Sequence, residues 1–251
     1  MNIIQSFYDD LASQYDKLFL DWQSTTQEQA VILDRIFKSQ GFDKSARILD
    51  CACGIGTQAI GLGALGYRMT ASDISQGELV QARARAAQNK VDIQFEQADF
   101  CALSETFREP FDIVIAMDNA LPHMLTASDL ASAIRSITNQ VAAGGIFVAS
   151  IRDYDALLMT KPAYSPPYIH QFQNGQRVSF QTWKWDGDNY RLIQYIIDDE
   201  ETLHVSKFEC EYRATRREEL TTLLMESGCR DVMWMFPEET DFYQPIVVAR
   251  K

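Results

Sequence analysis

The residues with the clearest chemical potential in this sequence stand at the ends of short apolar runs. The run Ile48-Leu49 ends in Asp50 and continues through Cys51, Ala52, Cys53, Gly54, Ile55, Gly56 and Thr57. Glycine lets a backbone approach a ligand where a side chain would clash, and a carboxylate just before it can hold a cationic group. Asp73 closes the next run, where its paired oxygens can accept both hydroxyls of a ribose. Asp99 and Phe100 follow a third run, an acid for an exocyclic amine beside an aromatic for a ring face. Met117, Asp118 and Asn119 follow a fourth. Singly, each acid is an ordinary solvated loop residue. Together, acids or amides after four successive runs point to one nucleoside-bearing ligand laid across them.

These positions need a scaffold that brings strand ends to a common edge. Apolar residues at helical spacing between Ser24 and Gln40, with Gly41 behind them, predict a helix before the first strand. Strands are expected at 46–51, 67–71, 93–97, 111–116 and 145–151, with helices at 57–65, 76–89 and 127–141 between them. That alternation predicts an α/β fold, a doubly wound and mostly parallel sheet with helices on both faces. After Ile151 the rhythm changes. A loop with Pro162, Pro166 and Pro167 leads to strand-like stretches at 176–185, 189–198 and 204–214, the first two joined by Asp186-Gly187-Asp188-Asn189 as a hairpin. A helix at 216–227 and strands near 231–236 and 245–250 then return to the main sheet. The expected organisation is an N-terminal helical lid (1–45), a cofactor-binding core (46–152), a small antiparallel insertion over the substrate (153–214), and a C-terminal helix and strands completing the core sheet (215–251).

Bulk properties narrow the function. A formal charge of −12 disfavours a phosphate backbone as partner, so no nucleic acid is expected. Five cysteines form an odd set without zinc-ligand spacing, which suits a reducing compartment and no metal. The start lacks the character of a signal peptide, and no stretch approaches ~18 apolar residues, so no membrane partner and a cytoplasmic location are expected. A homo-oligomer is left open.

The pattern Gly54-x-Gly56-x-x-Ala59 alone fits a nicotinamide-binding protein equally well. Asp50 separates the readings, since a second anion is unhelpful beside a pyrophosphate but suits the ammonium of S-adenosylmethionine. From about Tyr15 onward the sequence resembles the class I S-adenosylmethionine-dependent methyltransferases and, within them, the glycine/sarcosine N-methyltransferase group. The segments carrying the resemblance are Asp50–Thr57, Asp118–His123, Ile151–Asp155, Phe208–Arg213 and Tyr243–Arg250. It implies S-adenosylmethionine as cofactor and methyl transfer to a small molecule, most specifically the amine of a small amino acid such as glycine or sarcosine. The expected cofactor-binding residues are Asp50, Gly54, Gly56, Thr57, Asp73, Ile74, Asp99, Phe100, Met117 and Tyr15. Asn119, Arg152 and Tyr212 are expected to face the acceptor as the catalytic set, and Tyr8, Tyr15 and Trp22 to belong to a lid. O-methylation of a carboxylate or natural-product hydroxyl, a nicotinamide oxidoreductase and a cofactor-binding module without chemistry are the alternatives. His123, Cys51, Cys53, Trp183, Trp185 and Tyr195 are read as structural, and an ion pair with Asp153 or Asp155 is the plain alternative for Arg152.

Overall fold

The computed structural model describes residues 3–173, 175–199 and 202–251. The chain runs α1 (Ile3–Leu11), a 3-10 turn (Ala12–Leu18), α2 (Trp22–Ser39), β1 (Arg47–Asp50), α3 (Thr57–Ala64), β2 (Arg68–Asp73), α4 (Gln76–Gln88), β3 (Gln94–Gln97), β4 (Phe111–Ala116), α5 (Ala127–Asn139) and β5 (Val141–Ser150). It continues through α6 (Tyr154–Thr160), β6 (Tyr168–Phe172), β7 (Gly175–Asp186), β8 (Asn189–Asp199), β9 (His204–Arg213), α7 (Arg217–Glu226), β10 (Asp231–Met235), α8 (Pro237–Thr240) and β11 (Ile246–Arg250).

The main sheet has seven strands in the order β10-β11-β5-β4-β1-β2-β3. The neighbours from β3 to β5 pair in parallel, while β11 runs antiparallel to both β5 and β10. Alternate residues of each strand face opposite layers. Leu49, Val114, Phe147 and Val247 join one apolar cluster, and Ile48, Ile113, Ile146 and Val248 the other. Helices cover both faces, so every central strand is apolar on both sides, as a parallel sheet requires. The parallel strands leave the ends after β1, β2, β3 and β4 along one edge, and the reversal of strand order between β1 and β4 marks where doubly wound sheets form ligand crevices.

The second sheet is antiparallel, in the order β6-β7-β8-β9, with Asp186 opposite Asn189 at the hairpin. Three features depart from the sequence expectation. Residues 154–160 are helical rather than loop, because the Asp153 side chain accepts from the Ala156 amide and Tyr154 is wholly buried as an anchor. β6 follows the prolines as an edge strand whose Tyr168 and Ile169 are exposed, so it carries no alternation to read. The expected lid of residues 1–45 divides. α1 and the 3-10 turn lie at the crevice, but α2 buries Ala30, Leu33, Ile36 and Phe37 in the core and is a layer helix. Residues 1, 2, 174, 200 and 201 of the expected spans lie outside the described residues.

Candidate active site

The turn after β1 is built by backbone conformation before any side chain acts. Gly54 and Gly56 have φ of 52° and 91°, and Gly56 opens α3. A Cβ at Gly56 would stand 2.8 Å from Ile60 Cδ1, so this glycine is needed for the helix start as well as for the turn. Trp22 donates its indole N–H to Thr57 Oγ1 at 2.9 Å, fixing the first residue of α3.

Above this turn lies an open cleft of about 770 Å³. Its walls include Gly54 and Thr57 of the turn, Asp73 and Ile74 after β2, Asp99 and Phe100 after β3, Met117 and Asp118 after β4, and Tyr15 with Ile4 and Tyr8 from the N-terminal segment. Eight of the ten residues expected to hold the cofactor therefore line one cavity. Asp50 and Gly56 lie beneath it.

The acids are placed unusually. Asp50 is fully buried; one oxygen accepts weakly from the Ala52 amide at 3.3 Å and the other has no partner. Burial pushes its pKa well above the usual carboxylate range, helped by the negative charges of Asp73 and Asp118. Asp73 accepts from the Ser75 amide at 2.9 Å and the Gly54 amide at 2.8 Å. Burial raises its pKa, and those amides moderate the rise. Asp118, in the left-handed region at φ 55°, accepts from Gln58 and from the Tyr243 hydroxyl, both at 2.8 Å; burial raises it too. Among the described residues none of these acids forms an ion pair. The orphaned oxygen of Asp50 and the carboxylates around it fit a ligand bearing positive charge. The ribose acid, the adenine-side pair Asp99 and Phe100, and the glycine turn fit the rest of S-adenosylmethionine.

Asn119, Arg152 and Tyr212 form a second cluster outside the cleft walls. Asn119 is buried, with φ 70°, and its Oδ1 accepts from the Arg152 amide and the Tyr154 hydroxyl. Its Nδ2 has no partner. The Arg152 guanidinium donates to Tyr190 Oη at 2.8 Å and Gln181 Oε1 at 3.1 Å, and lies 5.1 and 5.5 Å from the ring centroids of Trp183 and Tyr212. Asp153 and Asp155 do not pair with it. Both bind Arg217 instead. Arg152 is thus a partly exposed cation held by neutral groups, with no carboxylate at ion-pair distance among the described residues.

His123 joins the halves. It lines the cleft, shares a 2.7 Å hydrogen bond with the Tyr8 hydroxyl, and packs its ring 4.2 Å from that of Tyr212. Burial, with the nearby Arg152 charge, lowers its pKa to about 3 against a carbonyl contact from Glu211 that raises it, so the ring is neutral at physiological pH. Cys51 and Cys53 are buried free thiols pushed upward by burial, not nucleophiles.

Several residues of the site escape a reading of the sequence. Tyr154, Tyr190 and Gln181 enclose Arg152 from three separate segments, and the one local signal that could have marked any of them is Asp153, a capping residue type just before Tyr154. Trp183 and Trp185 pack, as expected, but they pack around Arg152 and Tyr190. Glu78 is fully buried with both carboxylate oxygens unpartnered. Ser75-x-x-Glu78 has the form of a capping box, and Ser75 Oγ does accept from the Glu78 amide. The Ser75 amide, however, is taken by Asp73, which leaves the Glu78 carboxylate without its return bond. Among the described residues no group of His, Cys, Asp or Glu is placed to hold a metal ion, and no helix is long and apolar enough to cross a membrane.

Comparison with known proteins supplies an independent line. A methyltransferase domain model matches residues 48–145. Glycine/sarcosine N-methyltransferase of Parasynechococcus marenigrum (strain WH8102) is 24% identical over 241 residues, covering 96% of this chain and 82% of that protein. The CcbJ methyltransferase from Streptomyces caelestis superposes with a TM-score of 0.78 at 17% identity, covering 100% of this chain and 99% of that one. The S-adenosylmethionine-bound structure of CalS10, an amino pentose methyltransferase from Micromonospora echinaspora, superposes with a TM-score of 0.72 at 15% identity, covering 90% of this chain and 91% of that one.

Proposed function

We propose that this chain, a class I S-adenosylmethionine-dependent methyltransferase, takes as its acceptor the amine of a small amino acid such as glycine or sarcosine. The observation that carries the reading is Arg152, a partly exposed guanidinium held among Tyr190, Gln181, Trp183 and Tyr212 with no acid beside it. A cation partly withdrawn from water and given no counter-ion has its charge to offer, and an acceptor carboxylate supplies what the protein omits. Two of its five N–H donors are used by Tyr190 and Gln181, which orient the fork and leave the others for the acceptor. The unpartnered Asn119 Nδ2 is a further donor nearby.

When bound, S-adenosylmethionine supplies a methyl group on a sulfonium, whose departure as a neutral thioether needs no acid. Asp73 would hold the ribose, Asp50 would offer its unpartnered oxygen to the amino-acid ammonium, and Asp99 with Phe100 would hold the adenine. The protein's remaining work is alignment and exclusion of water. Arg152 holds one end of the acceptor, Tyr212 walls it, and Tyr8 and Tyr15 cover the cleft. His123, kept neutral, leaves no second cation beside the amine, which must itself be neutral to attack.

A panel of amines incubated with S-adenosylmethionine and read by mass spectrometry tests this. Glycine, sarcosine or close amino acids should gain methyl groups. Turnover restricted to amino sugars would overturn the amino-acid assignment and favour a sugar amine, which the aromatic wall of Trp183, Trp185 and Tyr190 would also suit.

A further inference from the structure

We propose that Asp9 is a latch that holds α1 over the cleft and is set by the same serine that orients Asp73, making Asp9 a positioning residue for the cofactor. The inference rests on the reading that Asp73 takes the ribose. Asp9 Oδ1 accepts from Ser75 Oγ at 2.6 Å and from the Gly77 amide at 2.8 Å. Ser75 in turn donates its amide to Asp73 Oδ1 at 2.9 Å, and the second Asp73 oxygen accepts from Gly54 in the cofactor turn. A single residue therefore connects the lid to the ribose acid and, through it, to the glycine turn.

Two further observations support a built contact. Gly77 is where α1 comes down on α4: a Cβ there would lie 3.0 Å from Asp9 Oδ1 and 3.1 and 3.2 Å from the Asp9 Cα and carbonyl oxygen. A side chain there would press α1 back by a few tenths of an ångström. The same α1 places Ile4 and Tyr8 in the cleft wall, with Tyr8 bonded to His123 across it. An anionic side chain at the first turn of the 13-residue α4 also meets the positive end of its dipole.

The latch is weak by construction. Asp9 is exposed, so its attraction to the helix end is screened by water, as turnover requires if cofactor and product must pass. The segment behind it has its own attachments, Lys17 to Asp198 at 2.8 Å and Gln14 to Ser206 at 3.0 Å. Opening at Asp9 therefore swings α1 while the 3-10 turn stays tied to the inserted sheet.

Stopped-flow dissociation of S-adenosylmethionine, followed by tryptophan fluorescence, tests the latch. Asp9→Ala, which removes the acceptor, and Gly77→Ala, which pushes α1 off α4, should each speed dissociation about 3- to 10-fold, from the loss of one or two exposed hydrogen bonds. The acceptor KM at saturating cofactor should not move, which separates a latch from general damage to the fold. Asp10→Ala, an exposed acid of α1 beside Lys207, Phe208 and Glu209 of β9 rather than α4, should match the unaltered protein. Chymotrypsin cleavage after Phe7 or Tyr8 of α1 should be slowed by cofactor in the unaltered protein and much less so in Asp9→Ala, a readout that stands if Gly77→Ala fails to fold. Unchanged dissociation in Asp9→Ala while Asp73→Ala binds poorly overturns the latch and leaves the ribose assignment. Unchanged binding in Asp73→Ala as well overturns both.

Discussion

Along the cofactor cleft Asp50 and Asp73 are buried and Asp118 half-buried without a cation beside them, whereas under the inserted sheet the half-buried Arg152 is held by tyrosines, a glutamine and a tryptophan without an acid beside it. Each region has the charge that the other lacks, and neither uses the other to neutralise itself. A fold seeking only stability would pair them, since unpaired buried charge is expensive. Kept apart, they make a site with a negative end for the ammonium and sulfonium of the donor and a positive end for the carboxylate of the acceptor. An amino acid held by its carboxylate at Arg152 presents its amine toward the cleft.

The largest expected effect breaks the positive end. Arg152→Met should lower kcat/KM for a carboxylate-bearing acceptor by about 30-fold or more, from the ~2–5 kcal/mol that follows loss of one partner of a buried charged pair. Cofactor affinity should stay near that of the unaltered protein, because Arg152 contributes nothing to the cleft walls. Arg152→Lys should fall between, since an ammonium cannot reproduce the planar fork. Steady-state kinetics with parallel calorimetry checks both.

Breaking the negative end should give the complementary result. Asp73→Ala should weaken S-adenosylmethionine by about 10- to 150-fold through loss of ~1.5–3 kcal/mol of charge-assisted hydrogen bonding, read directly by calorimetry. An unchanged dissociation constant would show that the ribose lies elsewhere.

A pH series sharpens the same contrast. Burial raises Asp50, Asp73 and Asp118 above their ordinary pKa, so between the ordinary and raised values the ligand-free fold holds more protons than the unfolded chain. Its stability must fall as pH rises through that window. A cationic ligand favours the ionised acids and removes part of this penalty. The gain in Tm on adding S-adenosylmethionine should therefore be larger at pH 8 than at pH 5.5, by differential scanning fluorimetry. A gain that shrinks as pH rises would contradict the placement of the acids.

The smallest effect concerns the acids beside Arg152. Arg217→Ala severs both Asp153 and Asp155 from their partner in a partly exposed network, which should cost about 0.2–1 kcal/mol of stability and leave the acceptor KM unchanged. A shift in KM would show that those acids reach Arg152 after all.

The two regions also differed in how far the sequence disclosed them. In a parallel sheet the functional residues follow the strands, so Asp50, Asp73, Asp99 and Asp118 could be located from apolar runs and the turn after them. The core strands fell within a few residues of expectation for the same reason, apart from β5, which begins at Val141 across an irregularity in its pairing with β4. The acceptor side has no such local grammar. Tyr154 comes from α6, Gln181 and Trp183 from β7, Tyr190 from β8 and Tyr212 from β9, and only the pairing of those strands brings them to Arg152. Arg152 and Tyr212 were located through resemblance. Glu78 was not singled out from the sequence: Ser75-x-x-Glu78 has the spacing of an ordinary capping box, and only the competing bond from Ser75 to Asp73 leaves its carboxylate unpartnered.

The central claim is that Arg152 recognises an acceptor carboxylate, and the most direct test crosses ligand with mutation. Methylation rates of glycine and glycinamide, which differ only in that charge, are compared in the unaltered protein and in Arg152→Met. The account predicts that the unaltered enzyme prefers glycine strongly and that the preference collapses by at least about tenfold in the variant, the signature of a direct coupling. Equal rates for the two acceptors in the unaltered enzyme, or a preference that survives the loss of Arg152, would contradict it.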